Sequence, residues 1–369
     1  MKILEIVTQM EAGGAQRIAY LLHAELKRRG HESQLCFLYE KRPAYAKTPD
    51  VFPLLDSSPS FVGYGRIILN LMRLIYREKP DAVITHTHYA NVLGQAIAWL
   101  MNVSSRIAVH HNPVDTYPRA ALRADRLLGA AGVYTGCVAV SETVAASMNK
   151  YPDSYRDRLH VVYNGTPLPP LPAYRDLVRS GWNIPENALL LVNVGRLSKQ
   201  KNQEFLLRLL PSNLALHLLL VGDGEHGAHL RALAKESGIA ERVHFTGEVS
   251  HEQVSSLVAA ADIFVFPSLY EAVGMVMLEA MLLGVPVISS DIPSSREFLS
   301  GTGLLVDTAT PEKWLEAIDS LIRCPEYASK MAEQAKTRAQ RFTVQRMADG
   351  YEELLAPITN SVLPAERRI

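Results

Sequence analysis

The sequence predicts an α/β protein with two doubly wound parallel sheets, and two observations carry this prediction. Short β-branched and Leu-rich runs alternate with amphipathic helical segments along the whole chain, as buried parallel strands joined by helices do. The segment Pro167–Pro172 then separates two such series, with four prolines in six residues. Because proline fits neither a helix interior nor a central strand, we predict a linker here, between a domain of residues 1–168 and a domain of residues 169–343.

Each half supplies six predicted strands, and the helices lie between them. In the first half the strands are predicted at Lys2–Val7, Ser33–Leu38, Ala82–His86, Ile107–His110, Gly136–Val140 and Leu159–Tyr163. In the second half they are predicted at Leu189–Asn193, Ala215–Val221, Arg242–Thr246, Ile263–Phe266, Val285–Ser289 and Gly303–Val306. The clearest helical patterns are Ala15–Arg29, Arg66–Arg77, Gln203–Leu210, His226–Ser237 and Pro311–Ile322. Two facing sheets of this kind predict a ligand cleft at the carboxyl ends of their strands.

The composition excludes several classes of protein. The chain has 369 residues, its 38 Lys and Arg balance its 38 Asp and Glu, and 48% of its residues are apolar. A disordered chain has fewer apolar residues, and a dedicated nucleic-acid binder has a basic surplus. Three scattered cysteines favour a reducing compartment over a disulfide framework. No apolar run reaches the roughly 18–20 residues of a membrane span, so we expect a cytoplasmic protein.

Two loops carry residues suited to phosphate groups. Gly13 and Gly14 follow the first strand and open the first helix, where glycine lets a ligand approach and N–H groups attract an anion; a tight turn is the alternative explanation. Arg196 and Lys201 share the loop after the first strand of the second half. A planar guanidinium and a compact ammonium together suit a diphosphate, although most basic clusters are simply solvated.

The segment Gly222–Gly227 fits the GxGxxG dinucleotide pattern, but we interpret it as a tight turn. It follows the second strand of its half, not the first. The next strand ends in Phe-Thr-Gly247, where a ribose-binding acid is expected in a dinucleotide site. We therefore predict no nicotinamide or flavin cofactor.

The most informative segment runs from Pro267 to Pro286 and holds two glutamates eight residues apart, Glu271 and Glu279. If Glu271 lies in a loop and Glu279 in the following helix, both can reach the same cleft. Carboxylates accept hydrogen bonds from hydroxyl groups and so suit a polyhydroxylated ligand. The backbone between them, near Gly274–Val276, offers amides and a helix N-terminus to a phosphate.

Histidines gather at two predicted strand ends of the first half: His86 and His88, then His110 and His111. A single histidine is more often a packed or surface residue than a catalyst. Four at neighbouring carboxyl ends predict a polar wall of the cleft. With no carboxylate or cysteine at liganding spacing, we predict no metal site.

In this order, the segments GGAQR, VGRLSKQKN, LLLVGDGEHGAHLRALAKESGI, VHFTGEVSHEQV and PSLYEAVGMVMLEAMLLGVPVISSD resemble a retaining glycosyltransferase of glycosyltransferase family 4. The resemblance is dense over Leu189–Val306 and thinner over residues 1–165. It implies the GT-B fold, in which two Rossmann-like domains face each other across a cleft. It also implies that the last helix, within residues 344–369, crosses back to the first domain.

The resemblance implies an activity and a role for each motif residue. The family moves a sugar from a nucleoside diphosphate sugar, held by the second domain, to an acceptor held by the first. Arg196 and Lys201 would bind the diphosphate. Glu271 would bind the donor sugar together with the nearby backbone of Val273, Gly274, Met275 and Val276. Glu279 would bind the ribose, and a segment ending at Val249 would bind the base. Gly13 and Gly14 would close over the phosphates and acceptor.

The residues His111, Glu271, Arg196 and Lys201 would form the catalytic centre. His111, or its neighbour His110, matches the family histidine that touches the donor sugar. One departure is Glu271-Ala-Val-Gly274, where the family often has Glu-Gly-Phe-Gly, and it bears on the identity of the sugar. Charge on the leaving diphosphate can be stabilised by Arg196, Lys201 and helix-end amides, so neither a metal nor another cofactor is expected.

The resemblance favours an acceptor from surface polysaccharide biosynthesis, either a lipid-linked or an oligosaccharide intermediate. An epimerase or phosphorylase of the same fold is an alternative, as is a sugar-nucleotide-binding scaffold without catalysis. Residues 1–170 hold 19 Lys and Arg against 14 Asp and Glu, and residues 171–369 hold 19 against 24. The basic first half predicts weak association with an anionic membrane surface, through Arg66, Arg73 and Arg77.

Overall fold

The structure is a computed structural model that describes residues 1–356, apart from the side chains of Phe61 and His251. This part of the chain forms two compact units. The first unit contains Met1–Ala139, Met148–Val162 and residues 344–356, and the second contains Val140–Ser147 and Tyr163–Thr343. The predicted end of the last helix, at residue 369, lies outside the described residues.

This division differs from the predicted boundary at residue 168 in two places. The first unit ends at Val162, before the proline-rich segment, and Val140–Ser147 joins the second unit. Side-chain hydrogen bonds explain the second difference. The hydroxyl of Ser141 donates to the carbonyl of Ala272 at 3.1 Å, and that of Thr143 donates to the carboxylate of Glu297 at 2.7 Å.

The first unit is built on seven parallel strands in the order β3-β2-β1-β4-β5-β6-β7. They are β1 Lys2–Met10, β2 Glu32–Glu40, β3 Val51–Pro53, β4 Ala82–His86, β5 Ser105–His110, β6 Gly136–Ala139 and β7 Leu159–Val161. The six predicted strands are all present, with small changes at their ends. The sequence did not indicate β3, because a three-residue edge strand that ends in proline carries almost no alternation.

The second unit is built on six parallel strands in the order β10-β9-β8-β11-β12-β13. They are β8 Leu189–Val194, β9 Leu216–Val221, β10 Val243–Gly247, β11 Ile263–Phe266, β12 Val287–Ser290 and β13 Leu304–Val306. In both sheets the strand order reverses beside the first strand: β1 lies between β2 and β4, and β8 between β9 and β11. Ligands of doubly wound folds bind at such reversal points.

Helices connect the strands throughout. The α-helices are α1 Gly14–Arg28, α2 Phe61–Glu78, α3 His88–Leu100, α4 Arg119–Ala130, α5 Glu142–Ala146, α6 Asp153–Arg156, α7 Arg175–Gly181, α8 Gln203–Leu209, α9 Gly227–Glu236, α10 His251–Ala259, α11 Met275–Leu282, α12 Pro293–Leu299, α13 Pro311–Arg323, α14 Pro325–Ala339 and α15 Val344–Leu355. Short 3-10 turns lie at Val114–Thr116, Lys199–Lys201, Leu210–Ser212 and Ala240–Arg242. Local signals set several of the helix starts, including the capping box of Ser250 and Gln253 and the first-turn prolines of α13 and α14.

Each unit has its own apolar core, and in both cores the strands are buried. In the second unit Trp314 of α13 packs edge-on against Phe205 of α8, with ring centroids 5.1 Å apart. Within residues 1–356 none of the helices combines the length and the apolar character that a membrane span needs.

Candidate functional site

In the second unit, the loops that follow β8 and β11 are joined by a partly buried ion pair. The loop after β8, residues 195–202, is called the diphosphate loop below. Its Lys201 places the ammonium 2.5 Å from a carboxylate oxygen of Glu271, and the two side chains are only 17% and 13% exposed. The amide of Gln200 also donates to the carbonyl of Tyr270, at 2.9 Å, and to Glu271, at 3.3 Å. The loops after two adjacent strands therefore bring a cation and a carboxylate together at the carboxyl ends of those strands.

Arg196 lies on the same loop with its side chain exposed. Its backbone is fixed, because Gln203 donates to its carbonyl at 3.0 Å. The neighbouring Gly195 has a φ of 149°, and the aliphatic part of Lys201 lies over it. The loop thus holds Lys201 against Glu271 and leaves the guanidinium of Arg196 accessible to a ligand.

The two glutamates lie as the spacing suggested, Glu271 in the loop before α11 and Glu279 inside α11. Glu279 is buried, as is Val273, whereas Met275 and Val276 at the helix start are partly buried. The turn into the helix is made by Gly274, which has a φ of 76°. A Cβ atom there would lie 3.1 Å from the ring of Phe266, so glycine is required both by conformation and by space.

The glycines of the segment 222–227 are used for packing against the diphosphate loop. A Cβ atom at Gly222 would lie 2.3 Å from the carbonyl oxygen of Gly195, and one at Gly224 would lie 2.4 Å from that of Leu197. The amide of Gly222 also donates to the carbonyl of Gly247 at 3.0 Å. The loop that contains Val249, which is partly buried, is therefore tied to the same edge of the sheet.

Replacing Gly222 with alanine is expected to displace the diphosphate loop. The new methyl group meets backbone at Gly195, which cannot rotate away, and the φ of 127° is itself strained for alanine. We expect a loss of stability of about 2 kcal/mol and a clear loss of nucleotide affinity, measured by thermal unfolding and by titration calorimetry. The matched control is Gly181→Ala, where the added atom meets open space. Equal behaviour of the two variants would contradict this role.

In the first unit, Gly13 and Gly14 lie where α1 begins, but the backbone does not demand glycine at either position. Gly13 has an extended φ of −168°, and a Cβ atom on it would meet only the movable end of Gln16. Gly14 is exposed, with open space around it. Gly14 therefore leaves room beside the helix N-terminus, the property expected where a ligand approaches backbone.

The structure separates the two candidate histidines. His110 is fully buried, and both of its ring nitrogens have partners: Tyr117 at 3.1 Å and Tyr155 at 2.8 Å. The hydroxyls of Tyr155 and Tyr134 in turn donate to Asp125, each at 3.2 Å. His110 is thus part of a satisfied internal network, and burial lowers its pKa.

His111 has one ring nitrogen that is not used. Its Nε2 lies 3.0 Å from Nδ1 of His86, whereas its Nδ1 is buried and has no hydrogen-bond partner within residues 1–356. Burial, together with the neighbouring histidines, holds the pKa of His111 well below its usual value. An unsatisfied buried polar atom calls for an explanation, and of the two residues it is His111 that has a ring nitrogen left for a further partner.

Sequence reasoning missed Glu5, which lies behind His86. Its carboxyl group is fully buried in β1, and Oε2 lies 3.2 Å from Nε2 of His86. Burial raises its pKa to about 8. A single acidic residue between the apolar pairs Ile3–Leu4 and Ile6–Val7 was the signal available. His88, the fourth histidine, packs its ring against Tyr117.

In the part of the chain that the structure describes, no group of three or more His, Cys, Asp and Glu side chains is arranged to hold a metal ion. The polar groups at the sheet edge of the second unit instead suit an anionic, hydroxyl-rich ligand. Lys201 and Arg196 supply positive charge, and Glu271 supplies acceptors for hydroxyl groups.

Comparison with known proteins gives the family. A model described as Glycosyltransferase Family 4 matches residues 12–168, and one described as Glycosyl transferases group 1 matches residues 175–338. The lipopolysaccharide core biosynthesis glycosyltransferase LpsE of Rhizobium meliloti (strain 1021) is 29% identical over 48% of this chain and 53% of its own length. The D-inositol 3-phosphate glycosyltransferase of Rhodococcus erythropolis (strain PR4 / NBRC 100887) is 31% identical over 53% of this chain and 48% of its own length.

The chain therefore spans about half the length of these curated relatives. Among solved structures, Anabaena HepE in complex with UDP matches with a TM-score of 0.81 and 20% identity, covering 96% of this chain and 99% of HepE. This likeness confirms the predicted GT-B fold. The two family models, which together match residues 12–168 and 175–338 and meet near the proline-rich segment, show that the chain belongs to glycosyltransferase family 4.

Proposed function

We propose that this protein is a retaining glycosyltransferase that transfers a sugar from a nucleoside diphosphate sugar to a glycan or glycolipid acceptor. One observation carries the proposal: the contact of Lys201 with Glu271, beside the exposed Arg196, where the order of the second sheet reverses. Breaking a sugar–phosphate bond places negative charge on the leaving diphosphate. Cations held in a partly buried position stabilise that charge far more than water does.

Each residue then has a task. Arg196 and Lys201 bind the diphosphate, and the ammonium of Lys201 is kept in place by Glu271. Glu271 and the backbone of residues 273–276 hold the donor sugar, and Glu279 holds the ribose. The segment at Val249 contacts the base. His111 contacts the donor sugar near the bond that breaks, and Gly13 and Gly14 approach the phosphates and the acceptor. No metal or other cofactor is needed for this chemistry.

The relatives support the proposed substrate classes. Anabaena HepE was solved with UDP, and LpsE is named for lipopolysaccharide core biosynthesis. We infer that the donor is a nucleoside diphosphate sugar and that the acceptor is a lipid-linked or oligosaccharide intermediate of a surface polysaccharide.

The test is a thermal-shift screen of UDP-, GDP-, ADP- and dTDP-sugars, followed by incubation of the best donor with a crude glycolipid extract. Ligand at 100 times its dissociation constant adds about 2.7 kcal/mol of stability, so one nucleotide class should stand out. Release of nucleoside diphosphate together with labelled glycolipid supports the proposal. An epimer formed from donor alone, a requirement for inorganic phosphate, or binding without transfer to any acceptor would each replace it with another function.

We also propose that the protein works in the cytoplasm, at the inner face of the membrane, bound through α2. The outward face of this helix alternates exposed apolar side chains with arginines: Val62, Arg66, Leu69, Arg73, Tyr76 and Arg77. Tyr76 is 74% exposed and Val62 is 73% exposed. Apolar side chains interleaved with arginines suit the headgroup region of an anionic bilayer.

Changing Arg66, Arg73 and Arg77 together to glutamine is expected to weaken binding to vesicles that contain anionic lipid by roughly 10²-fold, since each basic residue near such a surface contributes about 1 kcal/mol. Co-sedimentation with anionic and with neutral vesicles measures the effect. The same charge change at Arg208, Arg323 and Lys330 of the second unit is the control. The proposal fails if the wild-type protein ignores anionic vesicles at low salt, or if both variants lose binding equally.

A further inference from the structure

A continuous chain of buried hydrogen bonds runs from β1 to the histidine that follows β5. Oε2 of Glu5 lies 3.2 Å from Nε2 of His86, and Nδ1 of His86 lies 3.0 Å from Nε2 of His111. These three residues are called the His111 relay below. Glu5 and His86 are fully buried, and His111 is nearly so. Val7 of β1 pairs with His86 of β4, so these two side chains lie on the same face of the sheet. Glu5 lies two residues before Val7 and therefore shares that face.

The other oxygen of Glu5 is already committed. The hydroxyl of Ser33 donates to Oε1 at 3.2 Å, and Nδ1 of His23 lies 2.9 Å from that hydroxyl. Since the hydroxyl gives its proton to Glu5, His23 donates to Ser33. A proton on the carboxyl group of Glu5 therefore resides on Oε2, facing His86.

With Ser33 donating to Glu5, two proton arrangements satisfy every contact of the relay when both histidines are neutral. In the first, Glu5 carries a proton and donates to His86; His86 then donates from Nδ1 to Nε2 of His111, and the proton of His111 resides on Nδ1. In the second, Glu5 is ionised and accepts from His86, which accepts from His111, so Nδ1 of His111 is bare. Passing from the first to the second releases one proton from Nδ1 of His111 while two others each move along one hydrogen bond.

We propose that Glu5 and His86 are positioning residues that decide which nitrogen of His111 carries its proton, and hence whether His111 donates to or accepts from a hydroxyl group of the bound donor sugar. The relay rests on these hydrogen-bond distances and on the titration of Glu5. Its consequence for the sugar rests on the proposed function. Nδ1 of His111 is the atom through which the relay would act, and it is the one relay nitrogen without a partner within residues 1–356.

We expect the protonation of the relay to change between pH 6 and pH 10. Burial raises the pKa of Glu5 to about 8, with His23 and Ser33 opposing that rise. Burial lowers the pKa of His86 to about 3 and that of His111 well below its usual value, so both histidines stay neutral. The other titratable groups that face Glu5 are His23 on α1, whose pKa is lowered by burial, and Tyr351 on α15, whose pKa is raised. Glu5 is therefore the member of this group that titrates between pH 6 and pH 10.

The test is nitrogen NMR of the intact, histidine-labelled protein between pH 6 and pH 10, with the His111 signals assigned from a His111→Asn variant. In wild type we expect the proton of His111 to move from Nδ1 to Nε2 with a midpoint near pH 8. Glu5→Gln has no titrating group, so it should keep a single tautomer across the whole range. The signals of His217 and His244, which lie in the second unit, should be the same in both proteins and serve as internal controls.

Ser33→Ala should shift the pH of the tautomer change without abolishing the change. It removes a hydrogen bond that lowers the pKa of Glu5, so the midpoint should move to higher pH while the change of tautomer is retained. The inference is overturned if wild-type His111 keeps one tautomer from pH 6 to pH 10, or if Glu5→Gln still shows the change.

The NMR readout does not depend on catalysis. If the tautomer changes as expected but no donor is transferred, the relay stands and the proposed function fails. If transfer is observed, Glu5→Gln should also flatten the dependence of kcat/KM on pH between pH 7 and pH 9 while preserving donor binding. A pH profile unchanged from wild type would remove the link between the relay and the sugar.

Discussion

Replacing Lys201 with methionine is expected to lower kcat/KM for sugar transfer by roughly 10²- to 10³-fold, the effect of losing one group that stabilises developing negative charge. Two losses combine in this variant. The leaving diphosphate loses a cation, and the carboxylate of Glu271 loses the ammonium that lies against it in a site where both side chains are mostly buried. Methionine keeps the aliphatic packing over Gly195, whereas the contact of the ammonium with the ring of Phe266 is lost together with the charge.

The measurement is steady-state release of nucleoside diphosphate, with far-UV circular dichroism to check the fold. Lys199→Met is the matched control, because Lys199 is exposed on the same 3-10 turn and is assigned no contact with the donor. Arg196→Ala should cost about 10²-fold for the same reason as Lys201. Turnover close to wild type in both Lys201→Met and Arg196→Ala would remove the basis for the diphosphate site.

Replacing Glu5 with glutamine is expected to make the protein more stable than wild type at alkaline pH. The folded pKa of Glu5, about 8, is raised above its unfolded value of 4.5. The favourable state is thus the protonated one, and its contribution to stability is fully present below the unfolded pKa and lost as pH rises through the folded pKa. Between pH 5 and pH 9 this loss amounts to about 4 kcal/mol in wild type, and glutamine does not undergo it.

Urea unfolding at pH 5, pH 7 and pH 9 measures the difference between the two proteins. The free energy of unfolding of Glu5→Gln, relative to wild type, should increase steadily across this range. Glu32→Gln, on the exposed start of β2, is the control for simple removal of a carboxylate. Parallel pH dependences in Glu5→Gln and wild type would mean that Glu5 titrates normally in the folded state.

The order of the strands along the chain could be predicted because buried parallel strands have a strong apolar pattern. Ala82–His86 and Ile263–Phe266 are observed with the predicted bounds. What the pattern could not supply was tertiary information. Val140–Ser147 joins the second unit through the hydrogen bond of Ser141 to Ala272 and through hydrogen bonds of Glu142 and Thr143 to the carboxylate of Glu297. Nothing in the local sequence indicates that choice.

The candidate site was predictable to the extent that it lies in loops at the carboxyl ends of strands. The loops of Lys201 and Glu271 were identified, but their direct contact depends on β8 and β11 being neighbours in the sheet, which periodicity does not reveal. The choice between His110 and His111 depended on Tyr155, 45 residues away in the chain. The sequence pattern places Glu5 in a strand but does not indicate that its carboxyl group faces His86.

The anomeric configuration of the product shows whether the protein is a retaining transferase. The donor chosen by the thermal-shift screen is incubated with the glycolipid acceptor, and the configuration of the transferred sugar is determined by proton NMR. We expect the product to keep the anomeric configuration of the donor, and we expect Lys201→Met to form little of it. A product of inverted configuration would rule out retention, and equal product from wild type and Lys201→Met would rule out the diphosphate site at Lys201.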